Sequence, residues 1–199
     1  METDEIMEKL ITAFLNRTKL AIITLLIHRR RLTVTQMSRY LSTTRSNLYQ
    51  TISDLLESGI ILGPESVVRK NYVEKYYTLN EAMFSVLDTE KWKERLKLMN
   101  PSQGKSLISS FLLAQSLRLQ IMASEVEMAD DGAARAIGDL LESGKIMLSY
   151  GRVSDRTYGR LVDMYGKIES MLKESADEDG NNTFAIIGMP SLLSGSAVD

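Results

Sequence analysis

The chain has 199 residues, with 24 Lys+Arg against 26 Asp+Glu, 44% apolar and 25% charged residues, which allows one ordinary domain or two small ones and excludes wholesale disorder. Cysteine is absent and His28 is the one histidine, so disulfides, thiolate or histidine-cluster metal sites, thiol nucleophiles and paired-histidine acid–base chemistry are excluded. The near-neutral total conceals a split. Residues 15–80 hold ten Lys/Arg against four Asp/Glu, a net of +6, and residues 81–199 hold 13 against 18, a net of −5, so a basic block that could meet a polyanion precedes an acidic remainder.

Ile6, Met7, Leu10, Ile11 and Phe14 recur at helical spacing and predict a short amphipathic helix over residues 4–15. A second helix over 17–30 puts Leu20, Ile23, Leu26 and Ile27 on its apolar side. It closes on Arg29, Arg30 and Arg31, where cations suit the negative end of the helix dipole. His28, within this cluster, is expected as a surface or helix-end residue rather than a ligand. Thr33-Val34-Thr35-Gln36 has the form of a capping box and should open a helix running through Leu41, with Met37, Tyr40 and Leu41 facing in. Ser42-Thr43-Thr44 interrupts with turn and cap formers. The next helix, 45–58, carries an apolar stripe of Leu48, Ile52, Leu55 and Leu56. Gly59 stops it, since glycine takes the left-handed conformation without penalty. The period then changes: Ile60-Ile61-Leu62 and residues 73–79 are rich in β-formers, and Pro64 and Arg69-Lys70-Asn71 lie between them. That predicts a two-stranded hairpin with a basic tip.

Beyond residue 80 the pattern returns to helix. Asp88 can cap a helix to about Met99, broken at Asn100-Pro101-Ser102. Residues 105–128 predict a long, strongly apolar helix, and 132–150 keep helical spacing. Ser154 should cap a helix to about Ser175 in which Tyr158, Leu161, Tyr165, Ile168 and Leu172 alternate steps of three and four. That two-heptad seam suits a helix contact or a dimer interface. Residues 177–199 read as a flexible, acidic, Gly/Ser-rich tail with a docking patch at 184–187. The longest apolar run, residues 20–27, falls far short of the ~20 residues that span a bilayer, and the acidic opening METDEIMEKL is unlike a signal peptide. The expectation is a soluble, cytoplasmic protein with no membrane partner.

Several short signals carry little. Asp-Leu-Leu-Glu-Ser-Gly occurs at 54–59 and at 139–144, but the flanks differ, so a common helical string is the simpler account than a duplicated domain. Gly104-Lys105-Ser106 resembles the end of a phosphate loop, yet Met99 stands where the partner glycine belongs. Asn181-Asn182-Thr183 fits a glycosylation sequon that means nothing in the cytoplasm. The eleven methionines read as core filler before they read as an adaptable pocket. Glu125 and Glu127 are the one close acidic pair of the long helix, and a spacing of two splits them across its surface. No catalytic residue, metal or cofactor is therefore assigned.

What carries function is an order: helix, capped helix, short turn, helix, Gly, hairpin with a basic tip. This is the layout of a winged helix-turn-helix. A helix that enters the major groove must expose donors and acceptors on its N-terminal half while its inner face packs on the preceding helix. Arg45 can fork onto guanine, and Asn47 and Gln50 can pair with the edge of adenine, so these three are the candidate base readers. Thr44, Ser46 and Tyr49 can hold phosphates. Arg69 and Lys70 at the hairpin tip would reach the neighbouring minor groove or backbone.

The string TVTQMSRYLSTTRSNLYQTISDLLESGIILGPESVVRKNYVEKYYTLN resembles the winged-helix domain of prokaryotic transcription regulators, nearest the ArsR type, with MarR-like proteins sharing much of it. The resemblance rests on Thr33, Leu41, Ser46-Asn47-Leu48-Tyr49, Leu55, Gly59, Ile60 and Tyr77-Thr78-Leu79, and covers about a third of the chain. It implies a symmetric dimer on a partly palindromic site. Terminal helices would form its interface, with residues 4–15 and the helices beyond 102 as candidates. Metal-sensing members carry cysteines beside the motif; here there are none. The expected protein is mainly α: an N-terminal helix (1–16), a winged helix-turn-helix domain with a small β-hairpin wing (17–80), a helical dimerisation and effector region (81–176) and a flexible tail (177–199). Its expected function is sequence-specific transcription regulation through double-stranded DNA, with room for a small-molecule effector of unnamed chemistry. The alternative is a winged-helix protein-interaction module within a larger complex.

Overall fold

The computed structural model describes residues 3–88, 90–143 and 153–174. Among these residues the fold is mainly helical with one small three-stranded antiparallel sheet. It divides into two units, Met1–Ile137 and Gly138–Asp199.

In the first unit α1 (Thr3–Leu15) and α2 (Arg17–Arg29) meet at a 104° bend. Asn16 makes the corner: its Oδ1 accepts the Lys19 backbone N–H at 3.0 Å and caps α2. Helix α2 is central, with α1, α4, α6, β1 and β3 packed around it. It therefore buries Leu20, Ile22, Ile23, Leu25 and Leu26, well beyond a single stripe. One expectation is corrected here. Ile27 does not face in but is 58% exposed, while Ile22 and Leu25 are fully buried. The pattern of a half-buried surface helix cannot be applied to a helix surrounded on most sides.

Arg30, at φ 58°, turns the chain into β1 (Arg31–Thr33), a strand the sequence did not announce. Three residues are too few to show a period, and only pairing with β3 makes them a strand (Arg31↔Thr78, Leu32↔Tyr77, Thr33↔Tyr76). Helix α3 (Val34–Tyr40) opens on the expected capping box. The Gln36 N–H donates to Thr33 Oγ1 at 3.2 Å, and the Thr33 N–H donates to Gln36 Oε1 at 2.8 Å. Helix α4 (Arg45–Glu57) follows across residues 41–44 and buries Leu48, Ile52 and Leu55, with Leu56 half-buried. Gly59 ends it at φ +75°: its N–H donates to Leu56 O at 2.9 Å and the Ile60 N–H to Leu55 O at 3.0 Å, a Schellman closure.

The hairpin is longer than expected: β2 (Ile61–Arg69) and β3 (Tyr72–Leu79) join through Lys70-Asn71, in strand order β1-β3-β2. Most of β2 is exposed, so its apolar content understated its length. Cross-strand backbone pairing holds it. The register shifts between Leu62 and Glu65, where Gly63 sits at φ +124° and an added Cβ would lie 2.7 Å from Tyr76 O.

The helix expected from Asp88 to about Met99 is α5 (Glu90–Lys97), and a 3-10 helix (Glu81–Asp88) that the sequence did not announce precedes it. Both dock on α1 through rings: Phe14 lies 6.0 Å from Trp92, edge to face, and 6.4 Å from Phe84. Asn100-Pro101 begins the next helix as well as ending the last. Asn100 caps α6 (Pro101–Glu127) by accepting the Gln103 N–H at 2.9 Å, and Pro101 occupies the first turn, where no N–H is needed. Helix α6 packs on α1 and α2. Met83, Val86, Trp92 and Ile121 thereby join the core built by α1–α4 and the sheet. By length and composition α6 is the one helix among the described residues that could span a bilayer, and most of it is not buried. Helix α7 is Asp131–Glu142, capped by Asp130.

In the second unit the described residues form the end of α7 and α8 (Asp155–Glu174), whose start is capped by Ser154. The anticipated heptad seam lies on α8. Leu161 and Tyr165 are exposed, Tyr158 and Ile168 half-buried, and the Leu172 side chain lies outside the described residues. The expected helix beyond 143 and the tail with its 184–187 patch also lie outside them.

Candidate nucleic-acid interface

The candidate residues converge on the start of α4. Leu48, Ile52 and Leu55 pin one side of that helix to the core, so Thr44, Arg45, Ser46, Asn47, Tyr49 and Gln50 are all left exposed on the other. Thr44 is the N-cap. Its Oγ1 accepts the Asn47 backbone N–H at 3.4 Å and shares a hydrogen bond with Ser46 Oγ at 3.0 Å. Asn47 Nδ2 donates to Thr43 Oγ1 at 3.4 Å, a long and weak bond. Arg45 has no ion pair among the described residues.

Between the end of α3 and the start of α4 lies an open depression of about 480 Å³, lined by Ser38, Arg39, Ser42, Thr43, Thr44 and Asn47. Its polar wall and the N-terminal dipole of α4 favour an anion there. Ser42 holds the turn open at φ 47°, a conformation uncommon for a side-chain-bearing residue. Ser42 and Thr43 were expected only as turn residues, and Arg39 was not singled out from the sequence at all. Arg39 sits on α3 with no pattern to mark it, and only the packing of α3 beside α4 brings it to this wall.

Gln50 is less free than its exposure implies. Its Nε2–H donates to Asp54 Oδ1 at 2.8 Å, and Asp54 also pairs with Lys19 Nζ of α2 at 2.8 Å. The Lys19 hydrogen bond first, then that of Gln50, hold the Asp54 carboxyl below its usual range. On the side facing the sheet, burial and then the neighbouring Tyr49 phenol raise the Tyr77 hydroxyl above its usual value.

The hairpin tip divides its two cations. Lys70, in the turn, is exposed and has no ion pair among the described residues. Arg69 is tied back: its Nε–H donates to Glu74 Oε2 at 3.2 Å, and Tyr76 OH donates to the same oxygen at 2.9 Å. The Tyr76 hydrogen bond first, then Arg69, keep the Glu74 carboxyl lowered, and Glu74 in turn raises Arg69. The Arg31 guanidinium stands 5.0 Å over the Tyr76 ring. Tyr76 thus links the unforeseen strand β1 to the hairpin tip. Of the ten cations in residues 15–80, Lys19, Arg29 and Arg69 are ion-paired, with Asp54, Glu125 and Glu74. Arg39, Arg45, Lys70 and Lys75 have no ion pair among the described residues.

Away from this face, His28 Nε2 lies 3.4 Å from Glu125 Oε1, and Arg29 pairs with the same carboxylate, joining α2 to α6. Among the described residues no group of three His, Cys, Asp or Glu could hold a metal ion. No family model matches the chain, and no curated protein is similar to it.

Proposed function

We propose that this chain is a sequence-specific, DNA-binding transcription regulator, with α3, the 41–44 turn and α4 acting as a helix-turn-helix and the β2–β3 hairpin as its wing. One observation carries the reading: the N-terminal half of α4 exposes Arg45, Asn47 and Gln50 beside the hydroxyls of Thr44 and Ser46, while Leu48 and Ile52 fix its opposite side to the core. A helix so placed presents a forked donor and amides to base edges, with hydroxyls positioned for phosphates. Arg45 and Asn47 read bases. Gln50 reads only after exchanging its Asp54 bond for a base edge, and Thr44, Ser46 and Tyr49 anchor the backbone. Lys70 is the wing's ready cation, whereas Arg69 must leave Glu74 to contribute. The regulator works in the cytoplasm as a symmetric dimer on a partly palindromic site, with reading helices about 34 Å apart, one turn of DNA.

The test is binding of the full chain to DNA upstream of its own gene across a salt series, with Arg45→Ala/Asn47→Ala alongside. Expected are a retarded complex on that DNA only, a steep log–log salt slope and loss of the complex in the double variant. A complex indifferent to sequence and to the substitutions would make the chain an architectural binder. No complex at low salt, with salt-insensitive capture of a protein partner instead, would make it an interaction module.

A further inference from the structure

Helix α6 is apolar on two sides, and the packing inside the first unit uses one of them. Ser110, Ala114 and Ile121 are buried on the side toward α1 and α2. On the opposite side run Ile108, Leu112, Gln115, Leu119, Met122 and Val126, at successive steps of four, three, four, three and four. Ile108 is 44%, Leu119 61%, Met122 38% and Val126 56% exposed. Steps of this kind are the seam of a helix pair.

Two features identify the occupant. The series of steps reads the same in both directions, so a second helix of the same sequence running the opposite way faces Ile108 with Val126, Leu112 with Met122 and Gln115 with Leu119. One two-fold axis level with residue 117 relates them, as an isologous contact requires. The charges agree: Lys105 and Glu127 lie on the same flank of the seam at opposite ends of α6. Antiparallel pairing keeps that flank of the two copies on one side of the seam and sets each Lys105 near the other copy's Glu127, whereas parallel pairing puts the two flanks on opposite sides of the seam and forms no such pair. The helix dipoles also favour the antiparallel arrangement.

We propose that the outward seam of α6 is the homodimer interface, paired antiparallel with α6 of a second copy of this chain. The inference takes its partner from the dimeric reading above but needs no contact with DNA. It places the interface on α6 rather than on the Tyr158–Leu172 seam of α8. From Ile108 to Val126 the seam covers roughly 27 Å at 1.5 Å rise per residue.

The absence of cysteine makes the register directly testable in the full chain. Sedimentation should give twice the chain mass of 22.4 kDa for the wild type and the single-chain mass for Leu119→Glu, a substitution on a surface position that leaves the core intact. Leu161→Glu on α8 should remain dimeric. With a short bismaleimide, Ile108→Cys/Val126→Cys should give a covalent dimer, and Ile108→Cys alone should not, since its two copies lie roughly 27 Å apart. The proposal is overturned if the wild type is monomeric, whether free or collected on lipid vesicles through this same apolar face. It is equally overturned if Ile108→Cys alone cross-links, the parallel result, or if Leu161→Glu and not Leu119→Glu breaks the dimer. A monomer that still retards its own upstream DNA would sink the seam and leave the DNA reading standing. A Leu119→Glu-sensitive dimer that binds no DNA would do the reverse.

Discussion

Thr44 joins one observed role to one proposed role. Its hydroxyl closes the first turn of α4 on the Asn47 N–H, and the proposed function gives the same oxygen a phosphate to hold. Thr44→Ala should therefore cost about 1 kcal/mol of stability, read from chemical denaturation, and weaken binding to all DNA sequences alike. Gly59→Ala separates conformation from contact, because an added Cβ there meets nothing within 4 Å while φ is +75°. The expected loss of about 1 kcal/mol is then purely the left-handed backbone cost, and an unchanged midpoint would contradict the Schellman geometry. At the hairpin tip Glu74 holds Arg69, and in the proposed reading it would compete with DNA phosphates for that cation. Glu74→Gln should tighten DNA binding about two- to fivefold at low salt, the scale of one exposed ion pair, and a weakening would remove Arg69 from the interface. The carboxyls of Asp54, Glu74 and Glu5 are all lowered by cationic or hydroxyl donors. A lowered folded pKa contributes stability above the unfolded value, and that stability is lost as pH falls through the folded one. The melting temperature should hold above pH ~5 and fall below about pH 4, and the difference between wild type and Asp54→Asn should shrink over that same range.

At the level of elements, α4 was legible because its two sides use different residue types: Leu48, Ile52 and Leu55 at helical spacing inside, Arg45, Asn47 and Gln50 outside, with Thr44 and Gly59 at the ends. Each end has a local mechanism, so no distant contact is needed to place it. Under the proposed reading, Arg45→Ala should cost ~1–3 kcal/mol of specific binding and relax base preference at one position, while Lys70→Ala in the hairpin turn should weaken binding to all sequences evenly. Competition binding against a set of single-base operator variants distinguishes the two. The engagement of Gln50 by Asp54 was invisible in the sequence pattern, since it depends on where Lys19 of α2 brings its ammonium. Strand β1 was invisible for a similar reason: three residues acquire strand character only from β3 beside them. The 3-10 helix at Glu81–Asp88 fell outside any simple period, its apolar residues being gathered by the Phe14–Phe84–Trp92 cluster.

Over the whole molecule, the basic stretch of residues 15–80 proves a poor guide to accessible charge, because Lys19, Arg29 and Arg69 are paired with carboxylates, one of them from as far along the chain as Glu125. The log–log salt slope for a dimer should accordingly fall below that expected if all ten cations of each copy met phosphates, at about 0.9 per phosphate neutralised. Helix α6 carries the same lesson. Its strong apolarity was plain in the sequence, but which residues face α1 and α2 and which form an outward seam was not, since a helix apolar on two sides has no single stripe to read. By itself the sequence determined what local chemistry controls: the capped helices α3 and α4, the glycine stop, a hairpin with a cationic turn, and the exclusion of cysteine and histidine-cluster chemistry. Tertiary structure alone decided what depends on neighbours distant in the chain: the burial around α2, the third strand, the ion pairs that occupy Arg29 and Arg69, the docking of α6 on α2. Caps and turns are satisfied within a few residues of backbone, whereas burial and ion pairing belong to surfaces that exist only once the chain has folded.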